Sequence, residues 1–270
     1  MSAIRTAFEA GDLPGALAAA TAAVKSAPRD FGARWVLAEM LVFSGELERA
    51  DRALDAIIAE EPSPAVLEFR RLLRAAEHRR RVFGKEGEAP KLQGEEATPA
   101  QTACLRALVE LRTGNAEAAA AAAAEAEELR PRIPGTHTPA GAGATPVTFD
   151  DLRDADDMFS PFLEALTIAG DYMWIPFERI RSLEFEVPKR PRDLCWRRAA
   201  IEMKDGQEGV IYVPVIYPWG DSGMPDGLRL GRTTDWLDSG GGPVRGLGQR
   251  VMLAGEDALP LNEAGTLHFE

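Results

Sequence analysis

Five aspartates crowded into one stretch, Asp150, Asp151, Asp154, Asp156 and Asp157, are the densest set of potential metal ligands in this chain. Such carboxylates suit a hard divalent cation, but a calcium loop also needs a central glycine and a distal glutamate, and this spacing has neither. Carboxylates at the start of a helix or loop explain the cluster more simply. The three histidines, His78, His137 and His268, are scattered, and none stands at ligand spacing from a cysteine or another histidine. Cys104 and Cys195 lie far apart in apolar surroundings, too few for a disulfide scaffold and suited to a reducing compartment. There is no Gly-x-Ser-x-Gly elbow and no Walker loop. Gly246-Leu247-Gly248-Gln249-Arg250 begins like a dinucleotide fingerprint but lacks its third glycine, and it reads as a turn. No metal, cofactor or catalytic residue is expected. A hydrolase built on Asp150–Asp157 with Arg179 is the remote alternative.

Binding chemistry is better supplied. The 270 residues carry a formal charge of −12 and a pI of about 4.9, which argues against nucleic acid and anionic membrane as partners. The exception is an arginine run, Arg70, Arg71, Arg74, Arg79, Arg80 and Arg81, which reads as a solvated helix face. Aromatic residues alternate through Trp174-Ile175-Pro176-Phe177, a pattern commoner in a buried strand than on a recognition surface. The chain opens directly into an amphipathic helix, with no signal peptide and no apolar stretch long enough to span a membrane. A cytoplasmic protein is expected.

The elements that position these residues fall into two kinds. Gly11, Gly45 and Gly114 are separated by 34 and then 69 positions, and Pro28, Pro62 and Pro131 keep the same intervals. Each glycine is followed five residues later by an alanine: Ala16, Ala50 and Ala119. A 34-residue period with glycine at the interhelical turn, a small residue where helices approach and proline after the second helix is the tetratricopeptide pattern. The third repeat is degenerate, almost all alanine over Ala116–Ala126. A helix over Pro64–Val82 is half of a missing repeat, and Gly84–Thr98 reads as a loop in place of its partner. Residues 1–131 are thus a helical-repeat domain whose concave face suits a peptide or helix of another protein.

Residues 132–147, rich in Pro, Gly, Thr and Ala, read as a linker. Beyond it, 148–270 is β-rich. Strands are expected at Phe162–Ile168, Tyr172–Phe177 and Ser182–Val187, then a hairpin of Trp196–Met203 and Glu208–Tyr217 turning at Asp205-Gly206. Short late strands are expected at Val251, Leu253, Leu267 and Phe269, with Pro218–Pro243 mostly loop. The fold class is α+β: helical repeats, then a small antiparallel sheet or partly open barrel docked against them.

Five separated blocks carry a resemblance. They are Tyr172-Met173-Trp174-Ile175-Pro176-Phe177-Glu178-Arg179-Ile180-Arg181-Ser182-Leu183, Pro191-Arg192-Asp193-Leu194-Cys195-Trp196-Arg197-Arg198-Ala199, the Asp205-Gly206 hairpin into Val213-Pro214-Val215-Ile216-Tyr217-Pro218, Leu228-Arg229-Leu230-Gly231-Arg232-Thr233-Thr234-Asp235-Trp236, and Gly242-Pro243-Val244-Arg245-Gly246-Leu247-Gly248-Gln249-Arg250. In this order they resemble the ImpE/TagJ family. The resemblance implies a cytoplasmic accessory protein of the bacterial type VI secretion system, binding the N-terminal segment of the small sheath subunit TssB and influencing how the ClpV ATPase engages the contractile sheath. A general tetratricopeptide scaffold or chaperone for another assembly is the alternative. The residues expected to bind the partner are Trp35 and Phe43 on one repeat helix, Arg70 and Arg74 on the next, and Trp174 and Arg179 in the β-rich half. The acidic balance of the chain points to a partner segment with Lys or Arg at its margins.

Overall fold

A computed structural model describes residues 2–58, 63–141, 143–237 and 240–270. Among the described residues the N-terminal half holds seven helices: α1 (Ala3–Ala10), α2 (Leu13–Ser26), α3 (Phe31–Phe43), α4 (Leu47–Ile58), α5 (Pro64–Phe83), α6 (Pro99–Arg112) and α7 (Ala116–Leu129). Their starts are set by capping side chains. Asp12, Asp30, Thr98 and Asn115 each accept the amide three residues on, and Gln101 returns the bond to the Thr98 amide. The repeat glycines do what the spacing implied. Gly11, Gly45 and Gly114 have φ of 83°, 76° and 78°, a left-handed turn joining α1 to α2, α3 to α4 and α6 to α7. Ala16, Ala50 and Ala119 are fully buried at the helix crossings. Pro28 and Pro131 follow α2 and α7, while Pro62 lies outside the described residues.

The strands are β1 (Lys91–Leu92), β2 (Gly135–Thr138), β3 (Val147–Phe149), β4 (Leu152–Asp154), β5 (Phe162–Thr167), β6 (Tyr172–Pro176), β7 (Ile180–Phe185), β8 (Trp196–Met203), β9 (Glu208–Pro214), β10 (Thr234–Leu237), β11 (Arg245–Gly248), β12 (Val251–Ala254), β13 (Asp257–Pro260) and β14 (Thr266–Phe269). A helical turn, α8 (Asp226–Arg229), precedes β10. Among the described residues nine strands form one sheet in the order β1-β6-β5-β9-β8-β7-β14-β2-β3. The sheet is larger than expected, and it is not wholly antiparallel, because β1 joins β6 in parallel.

Two stretches read as connections carry strands. Residues 132–147 contain β2, which pairs with β14 on one side and β3 on the other. Pairing with the far end of the chain satisfies backbone groups that no local pattern announces. The Gly84–Thr98 insertion contains β1 and is pinned by Arg179, which donates to the carbonyls of Gln93 and Glu96. The expected strand at Glu208–Tyr217 stops at Pro214, and Pro218–Pro243 holds α8 and β10.

Alternation along each strand divides the sheet into two faces. Phe162 and Leu166 of β5 and Tyr172 and Trp174 of β6 join the helix core, whereas Leu163, Ala165 and Ile175 join a second core beneath the sheet. Helix α5 lies on β5 and β6. One hydrophobic core therefore runs from the repeats into the β-rich half.

Candidate functional site

Helices α3 and α5 of the repeats pack against the chain's own β-rich half. Trp35 of α3 and Phe69 of α5 pack with ring centroids 5.2 Å apart, and the Arg192 guanidinium sits 5.3 Å from Trp35, 4.5 Å from Phe69 and 5.9 Å from Tyr212. Trp196 closes on Phe69 at 6.2 Å. Trp35 donates its indole N–H to Glu39 Oε1 (3.0 Å), and burial pushes the Glu39 carboxyl up to about 7 against the opposing pull of Trp35 and Arg192. The segment leading into β8 thus packs against Trp35 and Phe69 of the repeats.

Beneath it lies a buried ionic lattice that ties α5 to the sheet. Glu164 of β5 accepts from Arg79 (Nε, 2.7 Å; Nη2, 2.9 Å), from Arg250 and from the Tyr172 hydroxyl (2.5 Å). Arg250 also donates to Asp154 Oδ2 (2.5 Å), whose other oxygen accepts from the Tyr217 hydroxyl (2.7 Å). Glu164, Asp154 and Arg250 are 0% exposed, so every charge here depends on its partners. Burial alone would raise the Glu164 carboxyl, yet Arg79 and Arg250 outweigh it and hold the carboxyl below its ordinary value.

The acidic cluster belongs to this lattice. It was read as a set of carboxylates at a helix or loop start; Asp150 and Asp151 precede β4, Asp154 ends that strand, Asp156 and Asp157 follow it, and the cluster is largely paired. Asp151 holds Arg130 (2.6 Å) and Asp157 holds Arg153 (2.7 Å). Asp156 accepts from the amides of Met158 (2.8 Å) and Gly246 (2.9 Å) and from the Trp219 indole (2.7 Å). Among the described residues no set of three His, Cys, Asp or Glu side chains is placed to hold a metal ion. The arginine run is likewise engaged rather than solvated throughout: Arg79 is only 14% exposed, and Arg70 bridges Asp51 (2.6 Å) and Asp55 (2.6 Å). Cys195 is buried, and burial pushes its thiol up to about 12, which leaves it unreactive.

What remains open is a groove of about 730 Å³ between the α3–α4 turn, the end of α5 and the β-rich half. Phe43, Leu47, Phe83, Trp196, Ile216 and Trp219 line it, with Arg80, Lys85, Glu86, Asp221 and Arg229 also on its walls. A second hollow of about 670 Å³ lies between α4 and α5, over Leu47 and Leu73, with Arg52 and Arg74 at its edge.

The residues singled out from sequence therefore part company. Phe43 lines the groove and Arg74 is exposed at the second hollow. Trp35 is half-buried under Arg190 and Arg192, and Arg70 is clamped to α4. Trp174 is fully buried, stacked on Phe162 at 4.0 Å, so its face is closed. Arg179 is spent on the 93–96 backbone. Sequence reasoning missed Trp219, whose signal was an aromatic pair, Tyr217 and Trp219, at the start of a stretch rich in Gly, Asp and Pro.

Comparison with known proteins agrees with this architecture. Residues 7–73 match the tetratricopeptide repeat family and residues 147–268 match the ImpE protein family. The chain is 33% identical over 258 residues to the type VI secretion system accessory component TagJ of Pseudomonas aeruginosa, covering 93% of this chain and 86% of that protein. It superimposes on the crystal structure of protein VPA1032 from Vibrio parahaemolyticus with a TM-score of 0.88 and 27% identity, over 99% of this chain and 97% of that one. With the repeats, the β-rich half and their junction all matched along nearly the whole length, this chain belongs to the ImpE family.

Proposed function

We propose that this protein is a non-catalytic, cytoplasmic accessory component of a bacterial type VI secretion system. It holds the N-terminal segment of a TssB-like sheath subunit and so modulates how the ClpV ATPase engages the sheath. The observation that carries the reading is the apolar groove between the repeats and the β-rich half. Its apolar lining supports the reading that a foreign segment is taken there. A repeat array ordinarily offers such a segment several apolar pockets along a helical stripe. Here Phe43 and Leu47 supply one wall and the β-rich half supplies the other. The buried ionic residues are committed to one another, which favours an adaptor over a hydrolase. Among the described residues no helix is long and apolar enough to cross a membrane.

The test is co-purification of the sheath subunit with this protein from cells expressing the secretion system. The reading expects recovery of the full-length subunit and loss when its N-terminal segment is deleted. Equal recovery of both forms, or of neither, contradicts it.

A further inference from the structure

We propose that helix α1 is a detachable clasp: it docks on the 226–232 segment of the β-rich half, and while docked it backs the groove wall at Phe43. The clasp shapes the groove whichever segment the groove takes.

Helix α1 is held from outside more than it holds itself. It has eight residues, below the ~12–15 at which an isolated helix is even marginal in water. None of them is fully buried, and Ile4, Ala7 and Phe8 only lean on the helix core. The ties at its C-terminal end come from the other half of the molecule. Arg232 donates Nη1 to the Glu9 carbonyl (3.1 Å) and Nη2 to the Phe8 carbonyl, and its guanidinium lies 5.3 Å from the centre of the Phe8 ring. A cation at this position also complements the negative end of the helix dipole. At the start of α2, the Leu13 amide donates to Asp226 Oδ2 (3.2 Å).

The surface that receives α1 is fixed. Leu228 and Leu230 are buried, the Gly231 carbonyl accepts from Asn262 Nδ2 at 3.2 Å, and a Cβ at Gly231 would meet Ile216 at 2.9 Å. Arg232 itself is exposed. Of the two surfaces α1 is therefore the one that leaves: opening it breaks polar ties at the surface and uncovers half-buried side chains, and the core stays closed. Segments of this kind open locally, well before the whole chain unfolds.

Two lines run from the clasp to the groove. Phe8 meets Phe43 with ring centroids 5.5 Å apart, and Phe43 lines the groove. Asp226, which takes the Leu13 amide on Oδ2, holds Arg229 on Oδ1 (3.2 Å), and Arg229 stands on the groove wall. With α1 docked, Phe43 is pressed from behind by an aromatic ring. With α1 melted that ring is gone, and the α3–α4 turn that carries Phe43 loosens. An order–disorder change in one short helix thus passes to the groove through two packed rings.

Hydrogen–deuterium exchange of the full chain, read by mass spectrometry, tests this at α1, at the α3–α4 turn and at the β8–β9 hairpin. In the wild type α1 should exchange about a hundredfold or more faster than β8–β9. Arg232→Ala, a surface change, should speed α1 by about fivefold or more and the α3–α4 turn along with it, while β8–β9 keeps its rate. Phe8→Ala, which cuts the link itself, should speed the α3–α4 turn at least as much. Exchange of α1 as slow as that of β8–β9, an α1 rate unmoved by Arg232→Ala, a rise spread evenly over the chain, or a turn at 43–46 indifferent to both substitutions overturns the proposal.

Discussion

The repeats and the β-rich half solve the problem of burying charge in opposite ways. In the repeats the helix crossings are largely alanine and leucine, and the pairs of Arg70 with Asp51 and Asp55 and of Arg80 with Glu77 lie at or near the surface. Arg79 and Glu39 go inside only where α5 and α3 meet the β-rich half. In the β-rich half arginines go inside. Arg197 spends its guanidinium on the carbonyls of Leu261, Asn262, Glu186 and Ala264, and Arg250 spends its own on Asp154 and Glu164. The repeats are thus held mainly by apolar area, which tolerates exchange of similar volumes. The β-rich half depends on polar geometry, where removing one partner leaves another charge stranded.

That contrast is sharpest at Glu164. Glu164→Ala strips both Arg79 and Arg250 of a carboxylate inside a dry interior, and it should cost about 3–5 kcal/mol, read as a large fall in the denaturation midpoint. A loss under 1 kcal/mol would mean that water already reaches the lattice.

Glu39 offers a gentler break, at the junction of the two regions. A carboxyl whose folded-state value is about 7, against an ordinary 4.5, holds its proton more tightly in the folded chain. Its contribution to stability is full below about pH 4.5 and is lost as pH rises to about 7. Glu39→Gln, which keeps an acceptor for Trp35, should match wild type at pH 4.5 and exceed it by about 2–3 kcal/mol at pH 8.5. Identical pH profiles of melting temperature would remove this account of the junction.

Within the repeats, Ala50→Leu should overpack the buried crossing of α3 and α4 and cost about 1–3 kcal/mol. An unchanged melting temperature would show that the crossing has room to spare.

Legibility in the sequence follows the same division. A tetratricopeptide hairpin is local, so Gly45, Ala50 and the caps at Asp12 and Asn115 announce it within a few residues. The β8–β9 hairpin was legible for the same reason, through Asp205-Gly206. By contrast β2 hides in a Pro- and Gly-rich stretch because its partner β14 lies at the other end of the chain. Arg250 looked like part of a turn because Asp154 and Glu164 are 96 and 86 positions away. Of the candidate binding residues, Phe43 reached the groove. Trp174 and Arg179 were drawn into the core and into the 84–98 insertion, since an aromatic or an arginine in sequence does not reveal which face its strand will turn outward.

The central claim is that a segment of the sheath subunit binds between the two regions. Calorimetric titration of the TssB-like N-terminal peptide against wild type and Phe43→Ala tests it most directly. The account predicts wild-type binding near micromolar, roughly −8 kcal/mol, weakened by about tenfold or more when the groove wall loses its ring. A flat titration of the wild type at saturating peptide would contradict it.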